Sequence, residues 1–243
     1  MRSDAASTLW PWVLLPARLL LFFGFQLLLA AGLFLAGSLT RWDQSAAWWP
    51  FTVTLTNLVC LVILTRRYRA EGRRYWDIFR IDRAHLKGDL LAMAGILVIT
   101  GPIAMIPGNL IAGAFYGDPM IPLRQFLAPL PAWAVYGAMT LFPITQGITE
   151  LPFYFIYIMP RLSALTGRPW LAYALASLFL GLQHSAAPLI FDARFFTWRA
   201  LMFIPFAFLV GFLLRWRPRL LPYFAVVHVL IDFATTLMYL TPF

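Results

Sequence analysis

Long apolar runs separated by short arginine-rich or proline-rich stretches constrain this chain more than any other feature. They lie at about 12–38, 47–65, 90–114, 131–159, 170–187, 200–214 and 220–241. A hydrocarbon core near 30 Å takes about 20 apolar residues per helix, so each run reads as a membrane-crossing helix. With 243 residues there is room for six to eight such helices and none for a soluble catalytic domain. Composition agrees: 61% of residues are hydrophobic and 12% charged, against roughly 25% charged in soluble domains. The expected fold is all-α, a polytopic membrane helix bundle of about seven spans, with 1–243 forming a single integral membrane domain. The first run is longer than a signal-peptide apolar core and lacks a clear small-x-small cleavage site, so it is read as a helix.

A net charge of +9 would suggest a nucleic-acid partner in a soluble protein, but here loop topology accounts for it. With the N-terminus inside, fourteen basic residues fall on the inner side: Arg2, the group Arg66 to Lys87, Arg161, Arg168, Arg215, Arg217 and Arg219. Only Arg41, Arg124, Arg194 and Arg199 fall outside, as the positive-inside rule requires, and no nucleic-acid partner is expected. Arg18, within the first run, is expected to snorkel to the nearer interface. Tryptophans 10, 12, 42, 48, 49, 133, 170, 198 and 216 sit near span ends, the level this side chain prefers. The linker 66–88 interleaves arginines with aromatics, which suits either an interfacial segment on an anionic leaflet or an ordinary inner loop. The stretch 115–131, with four prolines, is expected to be a non-helical loop or re-entrant segment. The single cysteine, Cys60, has no intrachain partner.

With loop charges set aside, the ionisable groups at membrane depth are Glu150, His184, His228 and Asp232, plus Arg18. A carboxylate at the bilayer centre costs about 2.5–3.5 kcal/mol on insertion scales, so such groups face the bundle interior and mark functional paths. Measured from the inner span ends at 1.5 Å per residue, Glu150, His184 and His228 lie about 14, 21 and 12 Å deep, close enough in level to meet. His228 and Asp232 share a helix face at i, i+4, and Gln146 stands in the same relation to Glu150, with Thr145 and Thr149 nearby. Interhelical packing through hydrogen bonds is the plainer explanation for one such residue. Two histidines and two carboxylates at one level favour a shared polar pocket.

A carboxylate beside a histidine can serve as general base on water, and a second histidine can stabilise an oxyanion, which together describe amide hydrolysis. The same four residues, Glu150, His184, His228 and Asp232, could instead hold a divalent metal such as zinc. No G-x-S-x-G or H-E-x-x-H motif is present. Two further readings use the same groups: haem held axially by His184 and His228, and a transporter or proton relay, with Pro143 and Pro152 kinking the span that carries Glu150.

The ordered motifs TELPFY (Thr149–Tyr154), FLGLQH (Phe179–His184) and HVLID (His228–Asp232) resemble those of the CPBP family of intramembrane proteases. That family includes the type II CAAX prenyl endopeptidases and bacterial proteins named for bacteriocin processing or immunity. Its pattern is Glu-Glu-x-x-x-Arg, then Phe-x-x-x-His, then His-x-x-x-Asn/Asp, each on its own membrane helix. The resemblance covers roughly residues 131–241, and the third motif matches in full. In the first, Thr149 stands in place of one glutamate and Tyr154 in place of the arginine. In the alternative register Leu151 and Phe155 replace the second glutamate and the arginine. In the second, Phe179 is one residue too far from His184 and Leu180 takes its place. The resemblance implies that Glu150 and His184 activate water while His228 and Asp232 support the oxyanion and orient the site. It also implies a membrane-protein or lipidated-peptide substrate, while the short loops and the arginine distribution fit a bacterial inner membrane. The altered first motif equally suits a catalytically inactive immunity or scaffold member.

Overall fold

The computed structural model describes residues 3–240, so Arg2 and the last residue of the seventh expected span, Thr241, lie outside the described residues. Helices are α1 (Ser3–Leu14), α2 (Ala17–Leu35), α3 (Arg41–Ala47), α4 (Trp49–Ala70), α5 (Leu86–Tyr116), α6 (Met120–Phe126), α7 (Ala132–Gly147), α8 (Met159–Thr166), α9 (Pro169–Gln183), α10 (Ala193–Trp216) and α11 (Leu221–Leu237). No strand occurs among the described residues, and the fold is an all-α helix bundle. Five segments are long and apolar enough to cross a membrane: α2, α4, α5, α10 and Pro218–Leu240, which contains α11. They correspond to the first, second, third, sixth and seventh expected spans.

The lipid-facing character is clearest in α5, where only 11% of the most apolar window is buried. Leu91, Val98 and Leu110 project outward from it, each more than half exposed. Water would penalise such a surface and hydrocarbon does not, so the chain is a membrane protein.

The other two expected spans are interrupted. At 131–159, α7 ends at Gly147, a turn follows, and Pro152–Ile158 winds as a π-helix before α8. Pro152 cannot donate to the carbonyl of Ile148 four residues back, and the Tyr75 hydroxyl donates to that carbonyl instead. The fifth span, α9, is a helix of fifteen residues followed by the 3-10 turn His184–Ala186. The break in the first run falls at Leu15–Pro16, between α1 and α2.

Three readings of the sequence need correction. The stretch 115–131 contains helix α6; Pro119 caps it and Pro122 sits in its first turn, where backbone N–H groups have no helical partner to lose. The sixth span starts at Ala193, so Arg199 belongs to a membrane helix and is buried, not a loop charge. In the linker, Tyr75 turns inward and is buried while Trp76 remains exposed.

Packing joins α10 to α9 and α5, α11 to α7, and α4 to α7 and α2. Glycine permits the closest of these approaches. A Cβ on Gly147 would stand 2.5 Å from Val229 Cγ2 and 2.8 Å from the Ala225 carbonyl oxygen of α11. Because one of the obstacles is backbone, Gly147→Ala should separate α7 from α11 and cost about 1–3 kcal/mol. Thermal unfolding in detergent should show a Tm lowered by several degrees. Gly95→Ala in α5, where nothing lies within 4 Å, should leave the Tm unchanged or raise it through helix propensity.

Candidate active site

The bundle buries its apolar side chains in two clusters. One gathers Leu14, Cys60, Leu64, Phe153, Leu180 and Leu220, and the other Phe22, Trp49, Val53, Phe142, Phe195 and Trp198. Along α2 the boundary between them falls at Arg18, along α4 at Asn57, along α7 at Gln146 and along α9 at Gln183. These four side chains form a polar layer between the clusters, and all are buried.

Arg18 is the hub of this layer. Its Nε donates to Gln183 Oε1 (2.7 Å), Nη1 to Asn57 Oδ1 (2.7 Å) and Nη2 to Gln146 Oε1 (3.0 Å). Nη2 also lies 3.7 Å from Glu150 Oε1, with Arg18 fully enclosed and Glu150 nearly so. The expectation that Arg18 snorkels to an interface is therefore wrong. Oxygen acceptors on three other helices and a carboxylate satisfy it in place, which removes the reason to reach for water. Asn57 Nδ2 donates to Gln146 Oε1 (2.9 Å) and to Thr145 Oγ1 (3.2 Å), closing the network.

Glu150 lies just past the end of α7, in the short stretch before the π-helix. Its two oxygens have different surroundings. Oε1 accepts from Gln146 Nε2 and Gln183 Nε2, both at 2.6 Å, and has His184 Nε2 at 3.7 Å. Oε2 faces His228 Nε2 at 3.4 Å. Two amide donors and the Arg18 guanidinium thus hold one oxygen, and the other is left toward the second histidine.

His184 ends α9. Its Nδ1 lies 2.8 Å from the Leu180 carbonyl oxygen, which can only accept, so that nitrogen carries the proton. In the neutral ring Nε2, on the Glu150 side, is then an acceptor. The ring stacks on Phe203 at 3.7 Å between centroids. His228, on α11, places Nε2 3.4 Å from both Glu150 Oε2 and Asp232 Oδ2, while its Nδ1 is buried without a partner. Among the described residues the ion-pair contact of Asp232 is with His228. Thr149 is buried with its hydroxyl unpartnered, and Thr145 spends its hydroxyl on the Leu141 carbonyl.

Glu150, His184, His228 and Asp232 all line one cavity of about 470 Å³ between α5 and α10 on one side and α7 and α11 on the other. Most of its remaining wall is apolar, as ligand sites commonly are. Among the described residues, however, no three His, Cys, Asp or Glu side chains converge as a metal would require. The divalent metal that the sequence also allows at Glu150, His184, His228 and Asp232 gains no support from this arrangement. Glu150 Oε1 is filled by amide donors, and Asp232 is turned to His228. The Glu150 carboxylate also stands beside both histidine Nε2 atoms, where haem held axially by the two would need its ring.

The sequence reading missed Asn57, Gln183 and Arg199 as wall or network residues. Asn57 and Gln183 are neutral and carry no charge signal in the sequence, and Arg199 lies just before the sixth apolar run. No family model, curated protein or solved structure matches this chain.

Removing the hub should expose how the layer is held. Arg18→Met leaves Glu150 buried without its counter-charge and Asn57 Oδ1 without a donor, a loss of about 3–5 kcal/mol. Combining it with Glu150→Gln should restore part of that stability. Unfolding of the two single variants and the double variant in detergent checks this, since independent losses would simply add.

Proposed function

We propose that this protein is an endopeptidase-like hydrolase of the CPBP type that cleaves a peptide bond at or within the membrane. The observation that carries this reading is the placement of one carboxylate, Glu150, against two histidines from separate helices on the wall of an internal cavity. The proposed setting is a bacterial inner membrane, crossed seven times with the N-terminus inside, as the arginine distribution favours.

The chemistry follows from hydrogen-bond capacity. Glu150, anchored through Oε1, offers Oε2 as acceptor to a water, and His184 offers Nε2 as a second acceptor because its Nδ1–H is committed to Leu180. A water donating to both keeps a lone pair for attack on a peptide carbonyl. Glu150 takes its proton and passes it to the leaving amine. His228, with Nε2 between two carboxylates and Nδ1 enclosed, serves as a positioning residue for Glu150, with Asp232 behind it. This differs from the oxyanion role that the resemblance implies. Arg18 supplies Glu150 with a cationic neighbour that the family pattern would place on the same helix, where this chain has Tyr154.

The second reading is a non-catalytic member acting as an immunity or scaffold protein. It is favoured by Thr149, whose buried, unpartnered hydroxyl stands where the family places a glutamate. The two readings separate in an assay of the purified protein in detergent or liposomes against membrane-embedded and lipidated peptides. Hydrolysis should occur, and both Glu150→Gln and His184→Ala should reduce it about 10²–10⁴-fold, the usual contribution of a general base. His228→Ala should reduce it less and shift its pH profile. Wild-type rates in the Glu150 and His184 variants, each shown to be folded by its Tm, would remove the hydrolytic reading. Lack of hydrolysis by the wild type across both peptide classes would favour the scaffold.

A further inference from the structure

The same cavity holds a charge that the hydrolytic reading does not use. Arg199, in the second turn of α10, lines it and is 4% exposed. Its Nη2 donates to the Ala187 carbonyl oxygen at 3.1 Å and its Nη1 approaches Met202 Sδ at 3.7 Å. Nε is buried with no partner. Among the described residues no carboxylate forms an ion pair with it. Its other neighbours are ring faces: Phe126 at 4.2 Å, Phe203 at 5.0 Å and Trp198 at 5.6 Å.

Compared with Arg18 this is an incomplete arrangement. Arg18 has three side-chain acceptors and a carboxylate; Arg199, equally withdrawn from water, has one carbonyl, a thioether and aromatic faces. A buried guanidinium with a spare N–H is costly unless an anion completes it. The cavity shows what such an anion would be attached to. Its walls run from Leu97 to Ala112 on α5, about 22 Å at 1.5 Å per residue, and they are dominated by Leu, Met, Phe, Val and Ile side chains. Trp49 and Trp198, both buried, line it together with Arg199.

We infer that Arg199 is the anchor of a binding site for an anionic amphiphile, with a carboxylate or phosphate head on the guanidinium and a single hydrocarbon chain along the cavity. This does not rest on the hydrolytic reading, because it uses neither Glu150 nor a bond-breaking step. Aromatic faces around the guanidinium exclude water, and the unpartnered Nε–H with an adjacent Nη N–H offers the fork that binds carboxylate and phosphate with two parallel hydrogen bonds.

The full-length protein, purified in a nonionic detergent, can be tested with three probes by native mass spectrometry: oleate, 1-oleoyl-lysophosphatidic acid and uncharged oleyl alcohol. At least one anionic probe should bind about tenfold or more tightly than oleyl alcohol, as a charge-assisted pair in an apolar site would give. Preference for oleate identifies a carboxylate head and preference for the lysophospholipid a phosphate head. Arg199→Met should bring the anionic probes to within about twofold of oleyl alcohol, and Arg199→Lys, which keeps the charge but not the two-bond fork, should retain only part of the preference. Because the comparison of probes is made first on the wild type, it holds even if a variant fails to fold. Equal binding of all three probes by the wild type would overturn the inference, as would a preference that survives undiminished in a folded Arg199→Met. Glu150→Gln should keep the anionic probes bound more tightly than oleyl alcohol while reducing any hydrolysis about 10²–10⁴-fold, so that failure of one reading does not carry the other with it.

Discussion

A guanidinium placed between two layers of hydrocarbon has to be satisfied by protein, and in this bundle Arg18 is. Its three hydrogen bonds reach α4, α7 and α9, and its charge faces Glu150. Four helices are therefore held in register by one side chain, at the level where the two apolar clusters meet. Hydrophobic burial alone specifies little inside a bilayer, since lipid tails are as apolar as leucine. Directional bonds at Arg18 provide registration that nonspecific apolar contact does not.

That registration produces the asymmetry of Glu150. Gln146 and Gln183, both bonded to Arg18 through their oxygens, turn their amide nitrogens to Oε1. The amides thus act as relays: oxygen toward the cation, nitrogen toward the carboxylate. Oε2 remains directed at His228 and the cavity. The break after Gly147 belongs to the same construction. With Pro152 unable to donate, the chain departs from regular α-helix where Glu150 enters the site, and Tyr75 closes the open carbonyl. Irregular backbone at membrane depth is tolerated where protein supplies the missing partners, and here a hydroxyl from the linker between α4 and α5 does so.

Arg18 and Arg199 make an instructive pair. Each is buried in a membrane helix, yet one lies in a complete hydrogen-bond network and the other against ring faces with a nitrogen to spare. The first behaves as structure. The second, at the wall of a long apolar cavity, has the chemistry of a receptor for a charged group from outside the chain.

Much of the fold was legible from local pattern. Apolar runs of membrane length exclude strands and a soluble core because each residue's transfer preference acts wherever the residue sits, and this needs no knowledge of neighbours. The i, i+4 spacing of His228 and Asp232 was readable for the same reason, since one helix sets it. Partnerships across helices were not. Nothing in the sequence near Arg18 distinguishes a side chain reaching for an interface from one met by Asn57, Gln146 and Gln183, which lie 39, 128 and 165 residues away. Whether Arg199 ends in a loop or in a cavity wall likewise depends on where Phe126 and Phe203 are brought by other helices. Hydrophobicity is a property of single residues and travels with the sequence. Satisfaction of a buried charge is a property of several at once, and only the packed bundle decides it.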